Sequence, residues 1–447
     1  MKHPSHSFPA ILLTIALVSG PACKPNGVPQ DVPNADASDA DAPDSGLSFP
    51  EYRSTQARAA SAPTDVATLT SDNADFAFAI NRVANTDPGN TAFSPHSISI
   101  ALAMTRAGAV GATGTEIDAA LRFTLAGDRL HQAFNALALD LAQAPAQATA
   151  ADTMPDPARP ALQLHWVNDL WVGAGQRIVP TYLDTLARYY GAGVHIAPFE
   201  RPVEATRLVN LWVSIHTEGL IPDLIDTLPP DTQWVLTNAV YLNARWKFPF
   251  EARMTSEGDF TTENSGTVRA RFMRRSSPVT AAYARGTSWT AAEVPYVGDR
   301  VAMLFVMPDA GTFSTFERAL DGAQYRSIVA ALSEQPVSLS VPKFTVRRSL
   351  ELKDALIALG MRQAFGGPDF SAMFPDGSLP VDRVIQHGFV QVDEAGTLAA
   401  AATAVIAADS GVRPAPPFIA DRPFYYFLRD RTTGAVLFVG RVVNPSA

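Results

Sequence analysis

The run W-V-L-T-N-A-V-Y-L-N at 234–243 is apolar almost throughout. A strand that is apolar on both faces belongs in the middle of a sheet covered on both sides, so this run is the candidate central strand. Other segments supply the cover. Phe76, Ile80 and Val83 recur at helical spacing and predict a helix over Asn73–Val83. Residues 90–109 read as a short strand, a break at Pro95 and a buried helix, with Ser94 placed to cap it. Two helical runs follow within 115–143, and others at 180–190 and 203–216. Residues 144–160, rich in Ala, Pro and Asp, read as a loop. Strands are expected at 162–172, 268–275, 279–285, 291–296, 301–307 and 337–346, with a helix at Leu350–Leu359 ended by Gly360. Residues 424–430 and 435–443 form a hairpin through R-T-T-G. Helices gather early and strands late, which predicts an α+β class.

The N-terminal end has a different character. Lys2 precedes the apolar run A-I-L-L-T-I-A-L-V at 10–18, too short to span a bilayer, which takes about 20 residues. It fits a signal peptide over 1–22. Cys23, the only cysteine, stands where cleavage should fall and resembles the lipidated cysteine of a bacterial lipoprotein; Gly20 occupies a place where such signals usually carry Leu. The alternative is ordinary cleavage after Ala22. Residues 23–63 are rich in Pro, Asp, Ala and Ser and read as a disordered tether, leaving 64–447 as the folded body. A single cysteine leaves no internal disulfide, thiol nucleophile or cysteine-based metal site in the mature chain. The net charge of −9 comes without a basic block, which argues against nucleic acid as a partner.

Catalytic motifs are missing. There is no G-x-S-x-G, H-E-x-x-H or phosphate-binding loop. G-A-V-G-A-T-G-T at 108–115 has the wrong spacing for phosphates and reads as a helix end and a helix start. His96, His131, His165, His195, His216 and His387 lack metal spacing and read as surface or packing residues. An enzyme has little support.

One further stretch is unusual. Val392–Ala407 reads V-D-E-A-G-T-L-A-A-A-A-T-A-V-I-A, after the strand-like F-V-Q-V at 389–392 and before the breaker-rich D-S-G-V-R-P-A-P-P at 409–417. No other place has more than two consecutive alanines, and no side chain from 395 to 404 is charged.

Several motifs, in order, carry a resemblance: N-T-A-F-S-P-H-S-I at 90–98, L-V-N-L-W-V-S-I-H-T-E-G-L-I at 208–221, L-T-N-A-V-Y-L-N-A-R-W-K-F-P-F at 236–250, V-P-K-F at 341–344, E-A-G-T at 394–397 and V-G-R-V-V-N-P at 439–445. Together they resemble the serpins, inhibitors of serine and sometimes cysteine proteases. The resemblance runs from about residue 70 to Pro445 and implies a single domain of about nine helices around three β-sheets, with a large central sheet and an exposed reactive-centre loop. It also implies a mechanism. A protease cuts the loop and is trapped as an acyl-enzyme while the loop inserts into the central sheet as a new strand.

The resemblance assigns roles. The hinge comprises Glu394, Gly396, Thr397, Ala399, Ala400, Ala401, Ala402 and Thr403. Along an inserted strand Thr397, Ala399, Ala401 and Thr403 share one face, and Leu398, Ala400, Ala402 and Ala404 the other. Large or charged groups on the inward face would obstruct entry, and proline would break the ladder. Gly396 is expected to serve as a pivot through its backbone freedom. Leu398 departs from the Glu of most members. The shutter beneath the sheet comprises Ser94, Pro95, Ser97, Asn210, Asn238 and Gln386, the last where a histidine often stands. Trp246 marks the breach at the top of the sheet. Counting from Glu394 puts the reactive bond at Ser410–Gly411. The loop is about two residues longer than a common length, which moves the estimate to Val412; Arg413 would suit a trypsin-like target but for Pro414 after it, and Ala408, like Val412, would suit an elastase-like or subtilisin-like one. The expected partner is a serine protease of elastase-like or subtilisin-like preference. The chain is expected to be a monomer without cofactor, secreted or held at a bacterial envelope by a lipid on Cys23. The competing expectation is a non-inhibitory serpin that acts as a binding or chaperone-like module.

Overall fold

The computed structural model describes residues 49–84, 87–156, 159–264, 266–397 and 415–447. Ten α-helices are present among them: α1 (Val66–Ala84), α2 (Pro95–Gly108), α3 (Gly111–Ala120), α4 (Asp128–Leu141), α5 (Ala144–Ala151), α6 (Pro180–Tyr190), α7 (Pro202–His216), α8 (Phe313–Ala319), α9 (Gly322–Ala331) and α10 (Lys353–Ala358). No helix among the described residues is long and apolar enough to cross a membrane.

The main sheet has seven strands, in the order β1 (Glu51–Tyr52), β4 (Val194–Ala197), β3 (Leu162–Gly173), β5 (Trp234–Arg245), β14 (Gly396–Thr397), β13 (Arg383–Val392) and β12 (Phe344–Glu351). The central run is therefore central: β5 pairs with β3, β13 and β14. Its alternate residues serve two layers. Trp234, Leu236, Val240 and Leu242 face the main core with α2, α4 and α6, whereas Val235 and Ala239 face a second apolar cluster under α7.

The remaining strands form an array in the order β2 (Thr91–Phe93), β17 (Val436–Val442), β16 (Phe424–Asp430), β10 (Val301–Pro308), β9 (Trp289–Pro295), β8 (Val279–Arg285), β11 (Ser333–Pro342), β7 (Thr267–Arg274) and β6 (Ser256–Thr261), with β15 (Pro417–Ile419) beside β11. β11 belongs to two sheets. Ser333–Val337 pairs with β8, while Ser340–Pro342 pairs with β7.

Several expectations need correction. Residues 144–151, read as loop, form α5: Pro145 occupies the first turn, where a proline is tolerated, and the alanines favour helix while Ala144 and Ala148 bury one face. The strand before α10 runs to Glu351, so that helix begins at Lys353 rather than Leu350. The body also starts before residue 64. Residues 49–62, placed in the tether by composition, lie on the body, because two aromatic residues in a polar stretch find partners. Tyr52 pairs with Val194 on the sheet edge, and the Phe49 ring packs edge-on against Trp212 at 4.8 Å. The segment expected to be a signal peptide, Cys23 and the rest of the expected tether to residue 48 lie outside the described residues.

Candidate functional site: the hinge and the seam below it

β5 and β13 pair directly and in parallel from Arg383↔Val235 to Gly388↔Val240. Above that point they part, and the gap holds β14. Gly396 pairs with Arg245 and Thr397 with Ala244 on one side, and Thr397 pairs with Val392 on the other. The chain leaves β13, turns through Asp393–Ala395 and re-enters the sheet as the first two residues of an additional strand. Asp393 Oδ1 holds that turn by accepting the Ala395 and Gly396 N–H groups at 2.9 and 3.2 Å.

Gly396 is needed for a reason other than the expected one. It is absent from the glycines with positive φ, so it is no backbone pivot here. Instead, a Cβ at this position would lie 1.9 Å from the Ala244 carbonyl oxygen and 2.9 Å from Arg245 Cα. Both are backbone atoms that cannot swing away. Only glycine lets the strand approach β5 this closely.

Neighbouring residues fix the turn from outside. Trp246 is buried, donates its indole N–H to the Asp393 carbonyl at 3.0 Å and its backbone N–H to the Ala395 carbonyl at 2.9 Å. Tyr296 stacks on Trp246 with centroids 4.3 Å apart, and its hydroxyl lies 2.6 Å from the Thr397 hydroxyl. Glu394 is nearly buried, receives Lys343 Nζ at 2.7 Å and accepts from the Thr255 hydroxyl at 2.9 Å. Burial by itself would raise its carboxyl; the hydrogen bonds from Lys343 and Thr255 outweigh that and hold it below the ordinary carboxylate range. Asp393, with no such cation bonded to it, is pushed the other way by burial.

Beneath the seam a polar row crosses three strands. Asn168 of β3, Asn238 of β5 and Gln386 of β13 stand in register. Gln386 is fully buried and fully paired. Its Nε2 donates to Asn238 Oδ1 at 2.5 Å and to the Ser94 carbonyl at 3.0 Å, and its Oε1 accepts the Ser94 N–H at 3.0 Å. Asn238 Nδ2 donates to Ser97 Oγ at 2.7 Å and to Asn168 Oδ1 at 2.5 Å, and Ser97 Oγ donates to Asn168 Oδ1 at 2.5 Å. Ser94 caps α2 through the Ser97 N–H, and Pro95 takes the first turn, where its missing N–H costs nothing. Glutamine thus completes this network without a titratable group.

Asn210 does not join that network. It lies on α7, where its side chain accepts the Leu224 and Ile225 N–H groups and donates to the Ile225 carbonyl, closing the turn after that helix. The member sequence reasoning missed is Asn168. It is the polar residue on the core-facing set Leu162, Leu164, Trp166, Leu170 and Val172 of β3, and that break in the alternation is the signal. Leu398 and the hinge residues Ala399, Ala400, Ala401, Ala402 and Thr403 lie outside the described residues, as do Ala408, Ser410, Gly411, Val412 and Arg413. The chain is described again from Ala415, and Pro417–Ile419 pairs in parallel with Ser338–Ser340. The two ends of the intervening segment are therefore anchored in different sheets. No cluster of metal-binding side chains occurs among the described residues.

Comparison with known proteins agrees with this architecture. The family model described as Serpin (serine protease inhibitor) matches residues 71–445. A serpin-like protein of Thermococcus kodakarensis is 34% identical over 374 residues, covering 83% of this chain and 84% of the relative. Human Serpin B8 is 31% identical over 384 residues, covering 83% of this chain and 98% of its own length. Among solved structures, the native state of the thermophilic serpin tengpin superposes with a TM-score of 0.77 at 23% identity, over 89% of this chain and 100% of that one. Thyroxine-binding globulin in complex with thyroxine superposes with a TM-score of 0.70 at 27% identity, over 85% and 99%. With its central sheet, its polar row beneath the seam and its returning strand, the chain belongs to the serpin family.

Proposed function

We propose that this protein inhibits serine endopeptidases as a suicide substrate. The observation that carries the reading is the hinge: β5 and β13 are paired below, parted above, and already hold Gly396 and Thr397 between them. The residues that follow, L-A-A-A-A-T-A, are small or neutral and can continue the same strand. A protease that cuts at Ser410–Gly411, or at a neighbouring bond after Ala408 or Val412, leaves its serine esterified to the loop. Insertion of Leu398–Ser410 behind Thr397, ~13 residues at ~3.3 Å each, would carry the tethered enzyme about 43 Å down the sheet before the ester is hydrolysed. The small residues of the bait suit an elastase-like or subtilisin-like enzyme. The signal segment and Cys23 suit export and attachment to a bacterial envelope by lipid.

Family membership alone does not decide between this and a binding role, since a neighbour of the same fold is seen in complex with thyroxine. The uncharged run from 395 to 404 favours inhibition. Incubation with subtilisin or elastase followed by a denaturing gel tests it. A covalent band at the summed mass is expected. Cleavage of the chain with no such band would leave the non-inhibitory reading.

A further inference from the structure

Residues 49–62 join parts of the molecule that lie on opposite faces of the main sheet. In front, Phe49 packs on Trp212 of α7. At the edge, Glu51 and Tyr52 pair with β4, and the Pro50 carbonyl accepts the Ile196 N–H at 2.8 Å. Behind, the Ser54 hydroxyl donates to Asp184 of α6 at 2.5 Å and the Ala59 N–H to the Arg188 carbonyl at 2.8 Å. Arg58 Nε reaches Asn135 Oδ1 of α4 at 2.9 Å, and Asn135 Nδ2 returns a bond to the Ala59 carbonyl at 3.0 Å. The body is shaped to receive this strap. A Cβ on Gly193, just before β4, would lie 2.7 Å from the Tyr52 carbonyl oxygen and 2.8 Å from Glu51 Oε2.

The two layers that the strap joins have to move past each other if a strand enters the sheet. The cluster under α7 takes residues from β4, β3 and β5 and also Ile385 of β13, so it spans the β5–β13 seam. Widening that seam displaces β4–β3–β5, with α7 on its front, relative to the helices packed behind. Close-packed layers do not deform continuously, and contacts that pin both layers raise the cost of every opening.

We propose that the strap of residues 49–62 is a brake on the β5–β13 seam and sets the rate at which the main sheet opens. Its consequence for protease trapping rests on the inhibitory reading above; its effect on the seam does not.

The test uses the full chain with Phe49→Ala or Gly193→Val. The first removes the ring from Trp212, and the second blocks the seat of the strap at the sheet edge. Neither touches hinge or polar row. Amide hydrogen exchange of residues 235–240 and 383–388 reads the opening of the seam directly. Exchange roughly tenfold faster than in the parent is expected, the factor corresponding to loss of one well-packed aromatic pair. Fewer inhibitor molecules should then be consumed per molecule of subtilisin trapped. Should Gly193→Val disrupt the edge strand itself, Phe49→Ala carries the test. Parental exchange at the seam in a folded Phe49→Ala variant whose tryptophan fluorescence shows an altered Trp212 would overturn the brake. Faster exchange in a protein that forms no covalent band with subtilisin would support the brake and defeat the inhibitory reading.

Discussion

The hydroxyls of Tyr296 and Thr397 lie 2.6 Å apart inside the protein, both side chains being fully buried. Tyr296 follows β9 of the second sheet, whereas Thr397 is the last described residue before the proposed bait. The contact ties the start of the proposed insertion to a fixed ring stacked on Trp246.

Thr397→Arg places a cation where the side chain has no exposed surface. An unpaired buried charge is too costly to tolerate, so β14 should leave the gap and insertion should stall. The expected outcome is an inhibitor turned into a substrate, with on the order of tenfold more molecules consumed per trapped protease, since each 1.4 kcal/mol on the insertion barrier is tenfold in rate. Titration of subtilisin with the variant measures this; an unchanged stoichiometry counts against insertion.

Gly396→Ala tests close approach against backbone freedom. Its φ suits alanine, so a pivot role predicts little change here. The 1.9 Å distance to the Ala244 carbonyl predicts overpacking of backbone on backbone, with a loss of about 1–3 kcal/mol. Thermal unfolding of the variant should begin lower than in the parent, and the Trp246 indole N–H should lose protection from exchange.

Gln386→Ala leaves Asn238 Oδ1 and the Ser94 N–H without their partner, while the Ser94 carbonyl keeps the Ile98 N–H at 3.1 Å. Each buried polar group left unsatisfied costs about 1–3 kcal/mol. The variant should unfold at a markedly lower urea concentration than the parent. A midpoint equal to the parent's would show that the polar row does not hold the seam.

Acid sensitivity should come from the histidines on α2, α4 and β13 whose pKa burial lowers, and not from the row beneath the seam, which holds no titratable side chain. Burial lowers His96 and His131 from 6.5 to about 4. In the unfolded chain both bind a proton near pH 6.5, so stability is intact above that value and is lost as pH falls toward 4. At pH 5 each contributes a loss of about 2 kcal/mol. Denaturation midpoints measured from pH 7 to pH 5 should fall steeply, and His96→Phe should flatten part of that slope.

Much of the fold could be read from periodicity because long elements repeat their pattern several times. The helix at 180–190 is of this kind, whereas the central strand at 234–243 and the C-terminal hairpin stand out as nearly continuous apolar runs. Short elements carry no period. Glu51–Tyr52 and Gly396–Thr397 are strands only because a neighbouring edge and an open gap accept them. The polar row was legible where motifs supplied it, at Ser94, Ser97, Asn238 and Gln386. Asn168 joins it through the register of β3 against β5, which is a long-range fact. Asn210 was misplaced for the same reason: its helix covers the opposite face of the sheet. For Gly396 backbone freedom was the expected cause, whereas the structure shows close approach to β5, which cannot be seen in one strand alone.

The central claim is that the intact chain is held short of its most stable arrangement and that cutting the bait releases it. Clipping between residues 408 and 413 with catalytic amounts of subtilisin, followed by calorimetry of intact and clipped protein side by side, tests it most directly. The clipped protein, with its sheet completed by the inserted strand, is predicted to melt well above the intact one. A clipped protein that melts at or below the intact temperature would contradict the account.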